Sequence, residues 1–196
     1  MAIISTRPTI ALVKTRWRKK GPRTAAERAG VIGANVWKIA VEIFRHMEKE
    51  GFRFSSDRMV TDVLAECIAL LIQLAERAAH AKLADADRAT LVQEVARHVA
   101  HTFENNQQDL FGPGEYRKAF IDLLNERFAT YATFEFDDGR PGFPCLRYFA
   151  SQVAEVMKGA ENKWVLEQVQ EIEAPEMVLL MAKLIDQTVE PAAGPG

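Results

Sequence analysis

The stretch SDRMVTDVLAECIALLIQLAERAAHA, residues 56–81, decides how the rest of the chain must fold. Val60, Val63, Leu64, Cys67, Leu71, Leu74 and Ala78 recur at three-and-four spacing, which lines them along one face of an α-helix. Ile68, Leu70 and Ile72 widen that face until the middle of the helix has almost no polar side left. A helix that is apolar nearly all round must be covered on several sides by other elements. The sequence therefore predicts an all-α fold, a multi-helix bundle around a central apolar helix at about residues 56–82.

Upstream, Thr24 and Glu27 have the spacing of a capping box and open a first long helix. Ile32, Val36, Ile39, Ala40, Ile43 and Met47 are its apolar stripe, and Gly51 is placed to end it. Gly30 and Gly33, inside that helix, read as places where a neighbouring helix comes close. Ser56 can cap the central helix, and so short a connection predicts an antiparallel pair. Downstream, Ala84 to Asp87 starts a third helix with Val92, Val95, Ala96, Val99 and Phe103 inward, predicted to reach about Asn105. Gly112, Pro113 and Gly114 break the chain, and Tyr116, Phe120, Leu123, Leu124 and Tyr131 line a fourth helix.

Residues 134–143 are the irregular part of the body. Phe134 and Phe136 alternate with Glu135, and Asp138-Gly139 is a turn signal, so a small hairpin fits there. Leu146, Phe149, Ala150, Val153, Met157, Ala160 and Trp164 then share one helical face. A second stripe of Val165, Val169 and Ile172 points elsewhere, which predicts a bend or a fresh helix past Gly159. Pro175 suits the first turn of a last helix whose Val178, Met181, Leu184 and Ile185 close the core. The organisation read from this pattern is an extended basic arm over 1–23, a single helical domain over 24–190 and a disordered tail over 191–196.

At 196 residues with 48% hydrophobic content, a chain of this kind buries about 70% of its unfolded surface and needs neither metal nor disulfide to fold. Cys67 lies on the central stripe and Cys145 beside a turn, and both read as free thiols of a reducing compartment. No run approaches the roughly 20 apolar residues of a membrane span. Met1 to Ile4 is too short for a signal-peptide core. A cytoplasmic location with no membrane partner is the expectation.

Charge is unevenly spread. Residues 1–26 carry Arg7, Lys14, Arg16, Arg18, Lys19, Lys20 and Arg23 and no acid, a net of +7. The remaining residues hold 18 basic and 27 acidic side chains, a net of −9. Two readings follow. In one, Arg16, Arg18, Lys19, Lys20 and Arg23 grip the phosphates of a nucleic acid while Trp17 stacks on a base. In the other, the arm lies on the acidic body of its own molecule or of a twin subunit, with Ile10, Leu12, Val13 and Trp17 buried there.

Chemistry-bearing patterns are few. Glu42 and His46, Glu76 and His80, and Glu94 and His98 each place a carboxylate four residues before an imidazole, with His101 one turn beyond His98. Helical di-metal proteins use inward Glu-x-x-His ligands, a different spacing. At 100° per residue these side chains lie opposite the apolar stripes, apart from His46 at a buried edge, so they read as solvated pairs and no metal or cofactor is assigned. Glu135, Asp137 and Asp138 beside Arg140 lack the pattern of a calcium loop and read as a solvated turn with local Arg pairing. Nucleophile triads, zinc-protease motifs and phosphate-binding glycine loops are not recognisable.

Phe136, Arg140 and Phe143 form the best local candidate for a partner-binding surface, because aromatic and Arg side chains dominate interface energetics. The competing structural reading has both phenylalanines plugging the end of the bundle. The functional expectation is a non-enzymatic interaction or scaffold protein, homo-oligomeric. A nucleic-acid-binding protein acting through the arm and a helical-bundle enzyme or ligand carrier are the alternatives.

Overall fold

The computed structural model describes residues 24–159 and 162–190; the basic arm and the tail beyond residue 190, with the expectations attached to them, lie outside the described residues. The chain runs α1 (Ala25–Lys49), α2 (Asp57–His80), α3 (Asp85–Phe111), α4 (Tyr116–Tyr131), a two-residue hairpin β1 (Phe136–Asp137) and β2 (Arg140–Pro141), α5 (Phe143–Val156), α6 (Val165–Gln168), a π-helical turn (Val169–Glu173) and α7 (Ala174–Thr188). It is an all-α bundle, as the pattern of residues 56–81 requires. Every residue of α2 from Val63 to Ala75 is buried.

The helix starts follow from the residues named at each cap. Thr24 Oγ1 accepts from the Glu27 amide at 3.1 Å, and Glu27 Oε2 accepts from the Thr24 amide at 3.0 Å, which completes the capping box. Ser56 Oγ accepts from the Met59 amide at 3.2 Å and opens α2. Helices α2 and α3 run antiparallel, with Arg88 against Glu76 at one end and Arg58 against Gln107 at the other. Helices α1 and α3 run the same way, with Trp37 edge-on to Phe103 at 6.5 Å. Gly33 lets them approach: a Cβ there would stand 2.6 Å from His98 Cδ2. Gly30 meets nothing within 4 Å, so only one of the two predicted close approaches exists.

Three boundaries differ from expectation, each for a physical reason. Helix α3 continues to Phe111 rather than Asn105 because its last turns have partners: Gln107 is buried, and the Arg58 guanidinium lies 4.3 Å over the Phe111 ring. Helix α5 stops at Val156, so Trp164 leaves the inner face and is 69% exposed. The connection after α5 is instead pinned by Asn162, whose side-chain oxygen accepts from the Arg53 amide at 3.0 Å while its nitrogen donates to the carbonyls of Arg53 and Met157.

Finally, α6 and α7 are one rod rather than two helices. Val165, Val169, Ala174 and Met177 are buried, and the step from 169 to 174 is five residues instead of four. The π-helical turn absorbs that extra residue, with the Ala174 amide bonded to the Val169 carbonyl. It sits where Pro175, second residue of α7, has no N–H to give.

Candidate functional site

Two clusters of polar side chains face inward, and a third group surrounds the hairpin. In the first, Glu66 of α2 and Arg127 of α4 are both buried. Arg127 Nε donates to Glu66 Oε2 at 2.8 Å and Nη2 to Oε1 at 2.7 Å, while Nη1 reaches Glu126 at 2.6 Å. The fork matches the carboxylate tooth for tooth, and the hydrogen bonds to Glu66 hold the guanidinium even more firmly protonated than usual. One turn on, the Tyr131 ring is fully buried, edge-on to Tyr148 at 5.4 Å, and among the described residues its hydroxyl has no hydrogen-bond partner. Burial, with the Glu66 charge added, pushes that phenol well above its ordinary range. Cys145 is fully buried, and burial pushes its thiol up to about 12.

In the second cluster His46 of α1 hydrogen-bonds Glu173 of the π-helical turn, Nδ1 to Oε1 at 2.7 Å. Gln168 donates to the same oxygen at 2.8 Å. Glu173 is buried, and His46 Nε2 lies 3.6 Å from Glu50 at the surface. Cys67 is buried in α2, where desolvation and the charges of Glu173 and Glu66 raise its thiol pKa, so it stays a protonated, inert group at neutral pH.

None of the sequence-predicted Glu–His pairs forms. Glu42 binds Arg45 at 2.9 Å, Glu76 binds Arg88 at 2.8 Å, and Glu94 binds Arg97 at 2.5 Å. His80 accepts from Arg88, and His101 from Arg117 at 3.0 Å. In each case the carboxylate pairs with a guanidinium, whose planar fork suits it, rather than with the imidazole one turn on. His98 and His101 are exposed, as the helix angles predict. Among the described residues no group of three His, Cys, Asp or Glu side chains could hold a metal ion.

The hairpin is built as Asp138-Gly139 predicts. Phe136 pairs with Pro141 and Asp137 with Arg140 across a turn in which Asp138 and Gly139 both have positive φ, 47° and 73°. Gly139 is required twice over, since a Cβ there would also stand 3.2 Å from the Arg77 carbonyl oxygen at the end of α2. Phe136 is half-buried, with the Arg77 guanidinium 4.7 Å from its ring centre. The Gly142 amide closes the hairpin onto the Glu135 carbonyl at 3.3 Å, and Gly142 is then the N-cap of α5. Phe143, first residue of α5, is 66% exposed. Phe136 therefore packs on the bundle and Phe143 does not, so the plug reading holds for one ring only.

An open groove of about 620 Å³ runs along this element, lined by Glu135, Phe136, Asp137, Arg140, Pro141 and Gly142. The expected local pairing of Arg140 is missing: among the described residues neither it nor Glu135, Asp137 or Asp138 makes an ion pair. Two other open grooves lie at opposite ends of α1. One, of about 460 Å³, is lined by Ala26, Gly30, Arg97, His98, His101 and Arg117 among others, and the other lies by Phe44 and Leu110. Glu66, Arg127, Tyr131, His46 and Glu173 line none of the three. The inward polar groups hold helices together, whereas the charged side chains of the hairpin make no ion pair among the described residues. The predicted nucleic-acid residues Arg16, Trp17, Arg18, Lys19, Lys20 and Arg23 fall outside the described residues.

Glu66, Arg127 and Asn162 escaped the sequence reading. Arg127 had a signal, since Phe120, Leu124, Arg127 and Tyr131 fall at 0, 4, 7 and 11, a single helical row. Asn162 had none, because its role depends on two loops distant in sequence.

No family model, no curated protein and no solved structure matches this chain. Among the described residues no helix is long and apolar enough to cross a membrane.

Proposed function

We propose that this is a non-enzymatic interaction protein that self-associates through the hairpin face carrying Phe136, Arg140 and Phe143. The observation that carries the reading is an exposed aromatic ring, Phe143, three residues on from Arg140, a guanidinium without an ion pair among the described residues, at the end of a hairpin of fixed register. The turn, the Gly142 bond and the cation–π contact of Arg77 with Phe136 lower the conformational entropy that binding must otherwise overcome. Aromatic and Arg anchors of this kind contribute most at interfaces.

The hairpin is also self-complementary in charge. Arg140 stands among Glu135, Asp137 and Asp138, so a second copy related by a two-fold axis sets each guanidinium against the other copy's acids. Light scattering and sedimentation across a concentration series test this. The parent chain is expected to dimerise, and Phe143→Ala with Arg140→Ala to weaken the dimer at least tenfold while the melting temperature and helicity stay put. A chain monomeric at all concentrations, or a dimer indifferent to both changes, refutes the reading.

A further inference from the structure

A different surface, at the far end of the long helices, has apolar walls and an acidic edge. The groove between the last turns of α1, the start of α2 and the end of α3 has a volume of about 540 Å³. Its apolar side chains are Phe44, Phe54, Val60 and Leu110, with Phe44 edge-on to Phe54 at 4.8 Å and Leu110 51% exposed. Among the described residues the charged side chains that line it are Glu48 and Asp57, both exposed, and neither makes an ion pair. Arg45, one turn before Glu48, bonds Glu42, and Arg58, next to Asp57, bonds Gln107 and lies over the Phe111 ring. Lys49 and Arg53 do not line the groove, so its described lining carries two negative charges and no positive one.

We propose that this groove docks a segment of a partner protein that carries bulky apolar side chains next to lysine or arginine, the apolar groups lying on Phe44, Phe54 and Leu110 and the cations against Glu48 and Asp57. Shape and charge select this occupant. The groove is open, whereas a small ligand needs most of its surface enclosed; a peptide segment needs cover along one face only. Two carboxylates repel the phosphates of a nucleic acid or a lipid headgroup and attract a cationic side chain. Exposed ion pairs alone contribute little, so the anchor is the apolar contact with the two rings and Leu110, and the acids decide which apolar segment is accepted. This contact is separate from the hairpin face and stands or falls independently of it.

Fluorescence anisotropy on the full chain tests this, with a labelled amphipathic leucine–lysine peptide as the probe and a leucine–glutamate peptide of the same pattern as the control. The parent chain is expected to bind the probe saturably, one peptide per chain, and to ignore the control. Glu48→Lys and Leu110→Ser, both at exposed positions, should each weaken binding about tenfold with the melting temperature kept. Asp87→Lys makes the same change in net charge in the first turn of α3, at the opposite end of that helix from Leu110, and should leave binding within about twofold. Absence of saturable binding overturns the proposal, as do binding indifferent to both groove substitutions, an equal loss with Asp87→Lys, or a control peptide that binds as well as the probe. Self-association of the parent chain that Glu48→Lys and Leu110→Ser abolish with no peptide present overturns it in favour of a second copy as the occupant.

Discussion

Glu66 of α2 and Arg127 of α4 join their two helices through a buried ion pair. A buried ion pair is weak evidence for stability, because desolvating both ions offsets much of their attraction. Removing one partner is a different matter. Arg127→Met leaves the Glu66 carboxylate buried with no cation and should cost about 3–5 kcal/mol, whereas Glu66→Leu combined with Arg127→Met should recover most or all of that loss. Urea denaturation of the single and double variants measures it, and a single-variant cost below about 1 kcal/mol would mean the pair is hydrated. Arg127 shows what sequence can and cannot reveal at this scale. Its place on the buried row of α4 was there to be counted, but charge suggests solvent until a facing acid is found, and Glu66 is 61 positions away. Hydrophobic periodicity ranks residues by type, so it passes over a charged pair that is buried as a unit.

Among the elements, legibility tracked how local the cause was. Helix α1, the start of α2 and the Asp138-Gly139 hairpin are set by caps and turn residues within a few positions of one another, and all three were readable. The end of α3 was not, because Gln107 and Phe111 are held by Arg58 of another helix. Nor was the π-helical turn, which depends on packing five residues where four would fit. The α1–α3 contact permits a test at this scale. Gly33→Ala places a Cβ 2.6 Å from His98 Cδ2 and 3.2 Å from Cγ, so the ring must swing away and stability should fall. With His98→Ala those atoms are gone, and the remaining 3.3 Å contact to the His98 Cβ yields to a shift of a few tenths of an ångström. Alanine's better helix propensity then prevails, and the same Gly33→Ala change should raise stability by up to about 0.5–1 kcal/mol. Thermal melts of the four proteins in that cycle give the sign directly; the same sign in both backgrounds would remove His98 from the account.

The whole molecule rests on how completely α2 is enclosed. Helices α1, α3, α4, α5 and α7 all pack on it, and Leu70, Leu71 and Ile72 are each fully buried although they point in three directions around the helix. That arrangement was legible from residues 56–81 because a rod without a polar side leaves no other placement, while the hairpin face could only be nominated, since periodicity says nothing about which aromatic ring stays outside. Enclosure also predicts how the chain should fail. Leu71→Ala removes three side-chain carbons from a site hemmed in by several helices, where neighbours can collapse into the cavity only in part. The loss should be about 2–5 kcal/mol, seen in urea as a lower midpoint with an unchanged slope, because the surface exposed on unfolding stays the same. A loss under about 0.5 kcal/mol, the range of exposed sites, would place Leu71 at the surface and undo the central position of α2. A lowered slope would mean that the parts packed on α2 come away separately, so that α2 is a shared wall between independently stable pieces.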